Sequence, residues 1–147
     1  NLAVASADLS TVLLHEYLRE ICERVRDAML PVTVNLEFIA EPIELPARVA
    51  VNVGLIVNEC LTNAAKYAFP EQSGNLLVAV KPDGGQLVVT IDDDGPGMSD
   101  TATGMGSRLI TMLTRPIGGS FERHGEHGTS CILRVPLEQR EPDRADR

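Results

Sequence analysis

Two short stretches gather side chains that could do chemistry. The first is Asn58-Glu59-Cys60-Leu61-Thr62-Asn63-Ala64-Ala65-Lys66-Tyr67. On a helix, Glu59, Asn63, Lys66 and Tyr67, spaced four, three and one apart, share one stripe. That stripe sets a carboxylate, an amide oxygen and an ammonium close together. Each residue alone reads more readily as part of a solvated helix face, but Asn and Thr suit such a face poorly because their side chains compete for the backbone. The second stretch is Ile91-Asp92-Asp93-Asp94-Gly95-Pro96-Gly97. An acid at a strand end can accept a hydrogen bond from a base amine, and the glycines let backbone approach a flat ligand closely. The same run also reads as an acidic turn. A calcium loop is excluded, because the acids are consecutive and no Glu closes a twelve-residue loop. Two weaker signals follow: Gly104-Met105-Gly106 before a helix, whose N–H groups would suit anionic oxygens, and Gly128-Thr129 at a strand start.

These residues need elements to hold them. From Asp8 or Ser10, either a plausible N-cap, Leu13, Tyr17, Leu18, Ile21, Val25 and Met29 line one helical face, and Pro31 ends that helix. Residues 32–39 alternate apolar and polar as a half-buried strand does. A short connection through Leu45-Pro46 leads to a central helix over 47–68, with Val49, Val53, Ile56, Val57, Cys60, Leu61 and Ala64 at helical period. Residues 76–80 and 87–91 read as a hairpin joined through Pro82-Asp83-Gly84-Gly85. The small polar run 98–103 reads as a mobile loop. A third helix over 106–114 and a final hairpin of 120–123 with 129–137 complete the order. Residues 1–137 are thus one domain, and 138–147 a charged, disordered tail. The fold class is α+β: a two-layer α/β sandwich with a mixed, mainly antiparallel sheet and three helices on one face, the far side of the helical layer being free for a ligand.

With 147 residues, 44% apolar, the chain has material for one core. A net charge of −8 excludes a nucleic-acid binder, which needs clustered Lys and Arg. Cys22, Cys60 and Cys131 are widely spaced with no CxxC pair, and are assigned to packing in a reducing compartment. No apolar run approaches the ~20 residues of a membrane span. The expected location is cytoplasmic, in a parent protein that could itself be membrane-anchored, and the start without Met reads as a piece of that longer protein.

In order and spacing the four motifs resemble those of the Bergerat-fold ATPases, the superfamily of gyrase, heat-shock chaperones, histidine kinases and MutL. Residues 58–67 resemble the N box, Asp93-x-Gly95-x-Gly97 the first glycine box, Gly104-x-Gly106 the second, and Gly128-Thr129 the final Gly-Thr motif. The run from Val53 to Pro70 is most similar to the HWE and related second-type sensor histidine kinases, as are the helix around His15-Glu16 and the short lid at 98–103. The resemblance implies an ATP-binding catalytic domain. Asn63 would ligate Mg²⁺, Lys66 would touch the phosphates, and Tyr67 would lie against adenine or ribose. Asp93 would accept the adenine amine, with Thr129 joining it through water. Gly95 and Gly97 would shape the base pocket, and Gly104 and Gly106 would border the phosphates. Glu59 would order Mg²⁺-bound water or polarise the incoming histidine. Implied partners are a histidine-bearing dimerisation domain, a response regulator receiver domain, and a second copy of the parent in a homodimer. No HExxN-like acceptor pattern surrounds His15, His124 or His127, which are assigned to surface or cap positions. Two rivals remain at this stage: an anti-sigma-type serine kinase, and a degenerate adaptor that has lost nucleotide.

Overall fold

The computed structural model describes residues 10–97 and 105–139. In chain order its elements are β1 (Thr11–Leu13), α1 (Leu14–Met29), β2 (Val34–Ala40), β3 (Glu44–Pro46), α2 (Ala47–Tyr67), β4 (Gly74–Asp83), β5 (Gln86–Asp93), α3 (Met105–Thr114), a 3₁₀ turn (Arg115–Ile117), β6 (Ser120–His124) and β7 (Ser130–Pro136). The main sheet has the order β2-β4-β5-β7-β6, with β2 and β4 parallel and every other pair antiparallel. This is the expected α+β sandwich.

Period-two alternation places its apolar layer. Leu87, Val89 and Ile91 on β5 stand beside Val135, Leu133 and Cys131 on β7, and all six are buried. Leu76, Val78 and Val80 on β4 extend the same face. Against it lie Leu14, Leu18, Ile21 and Val25 of α1, and Val49, Val53, Ile56, Val57, Cys60, Leu61 and Ala64 of α2, the positions the helical period selects. Each such side chain taken fully out of water contributes about 1.5–3 kcal/mol.

Two boundaries differ from the sequence expectation. The first helix begins at Leu14, not at a cap from Ser10, and Asp8 lies outside the described residues. Thr11-Val12-Leu13 instead pairs antiparallel with Glu44-Leu45-Pro46. Backbone bonds from Leu14 N to Ile43 O (2.8 Å) and from Ala47 N to Ser10 O (3.0 Å) occupy both helix entrances, so neither helix uses a side-chain cap. Leu13 consequently turns outward and Leu14 enters the core. The second strand starts at Val34, because residues 31–33 close a turn through Val34 N to Pro31 O (3.0 Å), leaving Val32 fully exposed. At the far end Gln139, within the stretch read as tail, donates to Ile117 O and Pro136 O (3.0 and 2.7 Å), while 140–147 lie outside the described residues.

The α1–α2 contact turns on one glycine. A Cβ at Gly54 would sit 2.5 Å from the Tyr17 ring, so only hydrogen fits beneath it. Gly54→Val is expected to cost about 1–3 kcal/mol through overpacking. Urea unfolding of that variant, and recovery of part of the loss when Tyr17→Ala is added, checks the contact.

Candidate functional site

Strand alternation decides which of the three consecutive aspartates can serve a ligand. Leu87, Val89 and Ile91 face the helices, so the next residue on that face is Asp93, which carries the inward row to the strand end where apolar packing stops. Its Oδ1 accepts from Gly95 N (2.9 Å) and Thr129 N (3.1 Å), while Asp93 N donates to Thr129 O (2.9 Å). The carboxylate is thereby fixed by two loops, both through Oδ1, and among the described residues no hydrogen bond reaches Oδ2. Asp94 does different work: it accepts from Asn75 N and Asn75 Nδ2 (both 2.8 Å), tying the end of β5 to the start of β4.

Those bonds, the backbone one first and the side-chain one second, hold the Asp94 carboxyl below the usual range. A depressed folded pKa gives stabilisation that is present above the unfolded value, about 4, and is lost as pH falls through the folded one. The thermal midpoint of Asp94→Ala is therefore expected below that of the unmodified chain at neutral pH, with the gap closing in acid. A gap that stays constant down to pH ~2 would show the bonds to be immaterial.

Close backbone approach explains the glycines. Gly97 (φ +85°) and Gly128 (φ +79°) occupy the left-handed region, and a Cβ at either would strike backbone carbonyl oxygens: Gly125 O for Gly97, Asp93 O for Gly128. A Cβ on Gly95 would meet the carbonyl of Ala68 at the end of α2.

Together these elements enclose a cavity lined by Cys60, Asn63, Ala64, Tyr67 and Ala68 of the α2 end, by Ile91, Asp93 and Gly97, and by Arg123, Thr129 and Cys131. Its volume of ≈ 20 Å³ suits about one water, so a larger ligand enters only as a wall side chain moves. It lies between α2 and the sheet end, where the sequence reading expected a ligand on the far side of the helical layer; the strand end, not the helix surface, supplies the fixed polar groups of this cavity. Of the residues singled out in the sequence, Asn63, Tyr67, Asp93, Gly97 and Thr129 come together here. Gly95 stands behind Asp93 and holds it through its N–H. Glu59 is half-buried and Lys66 exposed, both outside the lining. Gly106 lies in the first turn of α3, and Gly104 and the loop 98–103 lie outside the described residues.

Among the lining residues without a functional reading in the sequence, three carry polar or sulfur groups. Cys60 and Cys131, assigned to packing, are buried but border the cavity. Arg123 is paired with Cys131 across the β6–β7 ladder, which puts it on the inward face. Its Nε is buried with no hydrogen-bond partner among the described residues. Alternation could have found it, since Phe121 and Arg123 share a face while Ser120, Glu122 and His124 point outward. Two of the three histidines have structural places, His15 Nδ1 accepting from Ile43 N (3.3 Å) and His124 lying 3.2 Å from Glu122, while His127 is exposed.

Residues 16–134 match the histidine kinase-like ATPase domain family, and the chain belongs to that family. It is 30% identical over 152 residues to blue-light-activated histidine kinase 2 of Erythrobacter litoralis, covering 97% of this chain and 43% of that protein. The chain thus spans less than half the length of that relative. Among solved structures, the histidine kinase domain of the E. litoralis EL346 blue-light-activated histidine kinase superposes with a TM-score of 0.80 at 28% identity, covering 86% of this chain and 62% of that one. A mycobacterial sensor histidine kinase, MprB, shares the fold at a TM-score of 0.73 and 21% identity, covering 89% and 99% of the two chains. Among the described residues, no helix is long and apolar enough to cross a membrane.

Proposed function

We propose that residues 1–137 form the ATP-binding catalytic domain of a two-component sensor histidine kinase of the HWE or related second-type subfamily. It would transfer the γ-phosphoryl group of Mg-ATP to a histidine on a separate dimerisation domain of a homodimeric parent, from which a response regulator receiver domain takes it in a cytoplasmic phosphorelay. The observation that carries this reading is the Asp93 carboxylate, clamped by Gly95 and Thr129 N–H groups at the edge of a cavity whose opposite wall holds Asn63 and Tyr67.

The polar groups fit an aminopurine. Asp93 Oδ2 offers an acceptor and Arg123 Nε an unsatisfied donor, the complement of an edge that carries an amine beside a ring nitrogen. Tyr67, exposed at the cavity mouth, offers a ring face for base or ribose. Asn63, one turn earlier, would give its amide oxygen to Mg²⁺, whose remaining positions are ordinarily filled by phosphate and water. When bound, Mg²⁺ neutralises charge on the phosphates during transfer. Lys66, exposed on the next turn, can swing its ammonium toward phosphate oxygens; Gly106, in the first turn of α3, would offer its N–H to the same oxygens, which Gly104 would also border. Glu59, half-buried on the flank of the stripe, would order metal-bound water or polarise the incoming imidazole.

Calorimetric titration with Mg-ATP should show one site, and the chain alone, incubated with labelled ATP, should take up no phosphate. Adding a cognate dimerisation domain should yield an acid-labile phospho-histidine. Asn63→Ala should abolish that transfer, since it removes the metal ligand. Acid-stable label would point to a serine kinase, and absence of ATP binding would overturn the reading.

A further inference from the structure

The sheet register brings a second kind of chemistry to the cavity. Cys131 on β7 stands between Ile91 and Arg123 in one cross-sheet row, and Cys60 comes down from α2 onto the same spot. The two thiols border the same cavity and each perturbs the ionisation of the other. They are 71 positions apart in the chain, so only the fold makes them neighbours. Both are nearly inaccessible from the outer surface (3% and 5% exposed), yet both line the cavity, which has room for a water-sized molecule. Hydrogen peroxide is little larger.

We propose that Cys60 and Cys131 are an oxidisable dithiol in the floor of the pocket, which peroxide converts to a disulfide that excludes the nucleotide. The exclusion half rests on the nucleotide reading above. Cys131 is the attacking sulfur: it stands opposite Arg123 in the β6–β7 register, and Cys60 and the Arg123 guanidinium lower its thiol against the opposing effect of burial, while Cys60 is raised above its ordinary value and keeps its proton. The thiolate takes one oxygen of peroxide as the O–O bond breaks, giving a sulfenic acid and hydroxide. The Cys60 sulfur then attacks that sulfur, the S–S bond forms, and the departing hydroxide and the Cys60 proton leave as water. In sum, two thiols and one peroxide become one disulfide and two waters. Closing an S–S bond of ~2.05 Å draws α2 and β7 together across a cavity that is already narrow. Cys22 is the internal control, since burial, reinforced by Glu23, pushes its thiol up to about 12 and it lies on α1 away from the cavity.

The test is peroxide treatment of the intact chain, followed by intact mass, non-reducing peptide mapping and Mg-ATP titration before and after, with a final return to dithiothreitol. The expected result is a mass lower by two hydrogens, a linked peptide pair containing Cys60 and Cys131, Cys22 still free, ATP affinity reduced roughly tenfold or more, and full recovery on reduction. Saturating Mg-ATP present during treatment should slow the linkage, because bound ligand covers the site. Cys22→Ser should behave as the unmodified chain does; in Cys131→Ser the linked pair should vanish and the ratio of affinities before and after peroxide should return to one. Three outcomes overturn the proposal: no Cys60–Cys131 linkage, a linkage that leaves ATP affinity unchanged, or over-oxidation of Cys131 without linkage. If the reduced chain fails to bind ATP, the nucleotide reading and the exclusion half fall together, whereas a missing linkage in a chain that binds ATP sinks the dithiol alone.

Discussion

Gly128→Ala is expected to abolish nucleotide binding and to lower stability by about 2–4 kcal/mol, the sum of left-handed backbone strain and a backbone-to-backbone clash. At φ +79° an added Cβ lands on the carbonyl oxygen of Asp93, and neither partner is the movable end of a side chain. Relief requires the β6–β7 connection to back away from β5. That movement breaks the Thr129 N to Asp93 Oδ1 bond, so the carboxylate loses one of its two anchors. Gly84→Ala supplies the comparison. Gly84 also has a positive φ, +59°, but nothing lies within 4 Å of its would-be Cβ, so it should cost only the backbone preference, about 1 kcal/mol, and leave ATP binding intact. Urea denaturation and Mg-ATP titration of the two variants separate strain from close approach. Equal destabilisation with retained binding would mean that the Asp93–Gly128 contact does not shape the site.

The contrast between these two glycines also shows how far the sequence could be read. Each stands in a turn between apolar runs, and turn composition marks both equally. Which one meets a neighbouring carbonyl depends on strand order, because Gly128 precedes the strand that pairs with β5, a fact set by the register Asp92↔Ser130. The central helix was legible for the opposite reason: seven buried positions recur at a period that needs no partner to be recognised. The start of α1 was not, since a pairing with residues 44–46 replaced the local cap. The cavity residues divide along the same line. Asn63, Tyr67, Asp93 and Thr129 belong to short contiguous motifs, whereas Arg123 and the Cys60–Cys131 pair acquire their meaning only when β6, β7 and α2 meet. The helix stripe was drawn slightly off centre as well. The cavity wall runs through Cys60, Asn63, Ala64, Tyr67 and Ala68, so its centre lies to one side of Glu59 and Lys66, because the sheet end approaches α2 from the Cys60 side.

Asp93→Asn is expected to reverse the base preference of the domain. In the unmodified chain Oδ1 is committed to Gly95 N and Thr129 N, so in the proposed site Oδ2, an acceptor, is the edge left for a base. Adenine meets it with an amine. Guanine presents a carbonyl oxygen at that position, and two buried acceptors then face each other at a cost of roughly 2–4 kcal/mol, which favours ATP over GTP by about thirty- to a thousandfold. An asparagine at the same place has no freedom to choose its rotamer. The two N–H donors demand its carbonyl oxygen at the Oδ1 position, and the amide nitrogen must then occupy the Oδ2 position as a donor. Adenine's amine now meets a donor and guanine's oxygen meets its complement. Because the new contact is between neutral groups, the preference for GTP should be smaller than the original preference for ATP, on the order of five- to thirtyfold. Parallel titrations of both proteins with Mg-ATP and Mg-GTP measure the four affinities. A variant that loses ATP and GTP alike would show that Asp93 holds the loops together without reading the base, and an unmodified chain that binds both nucleotides equally would remove Asp93 from the recognition of the purine edge.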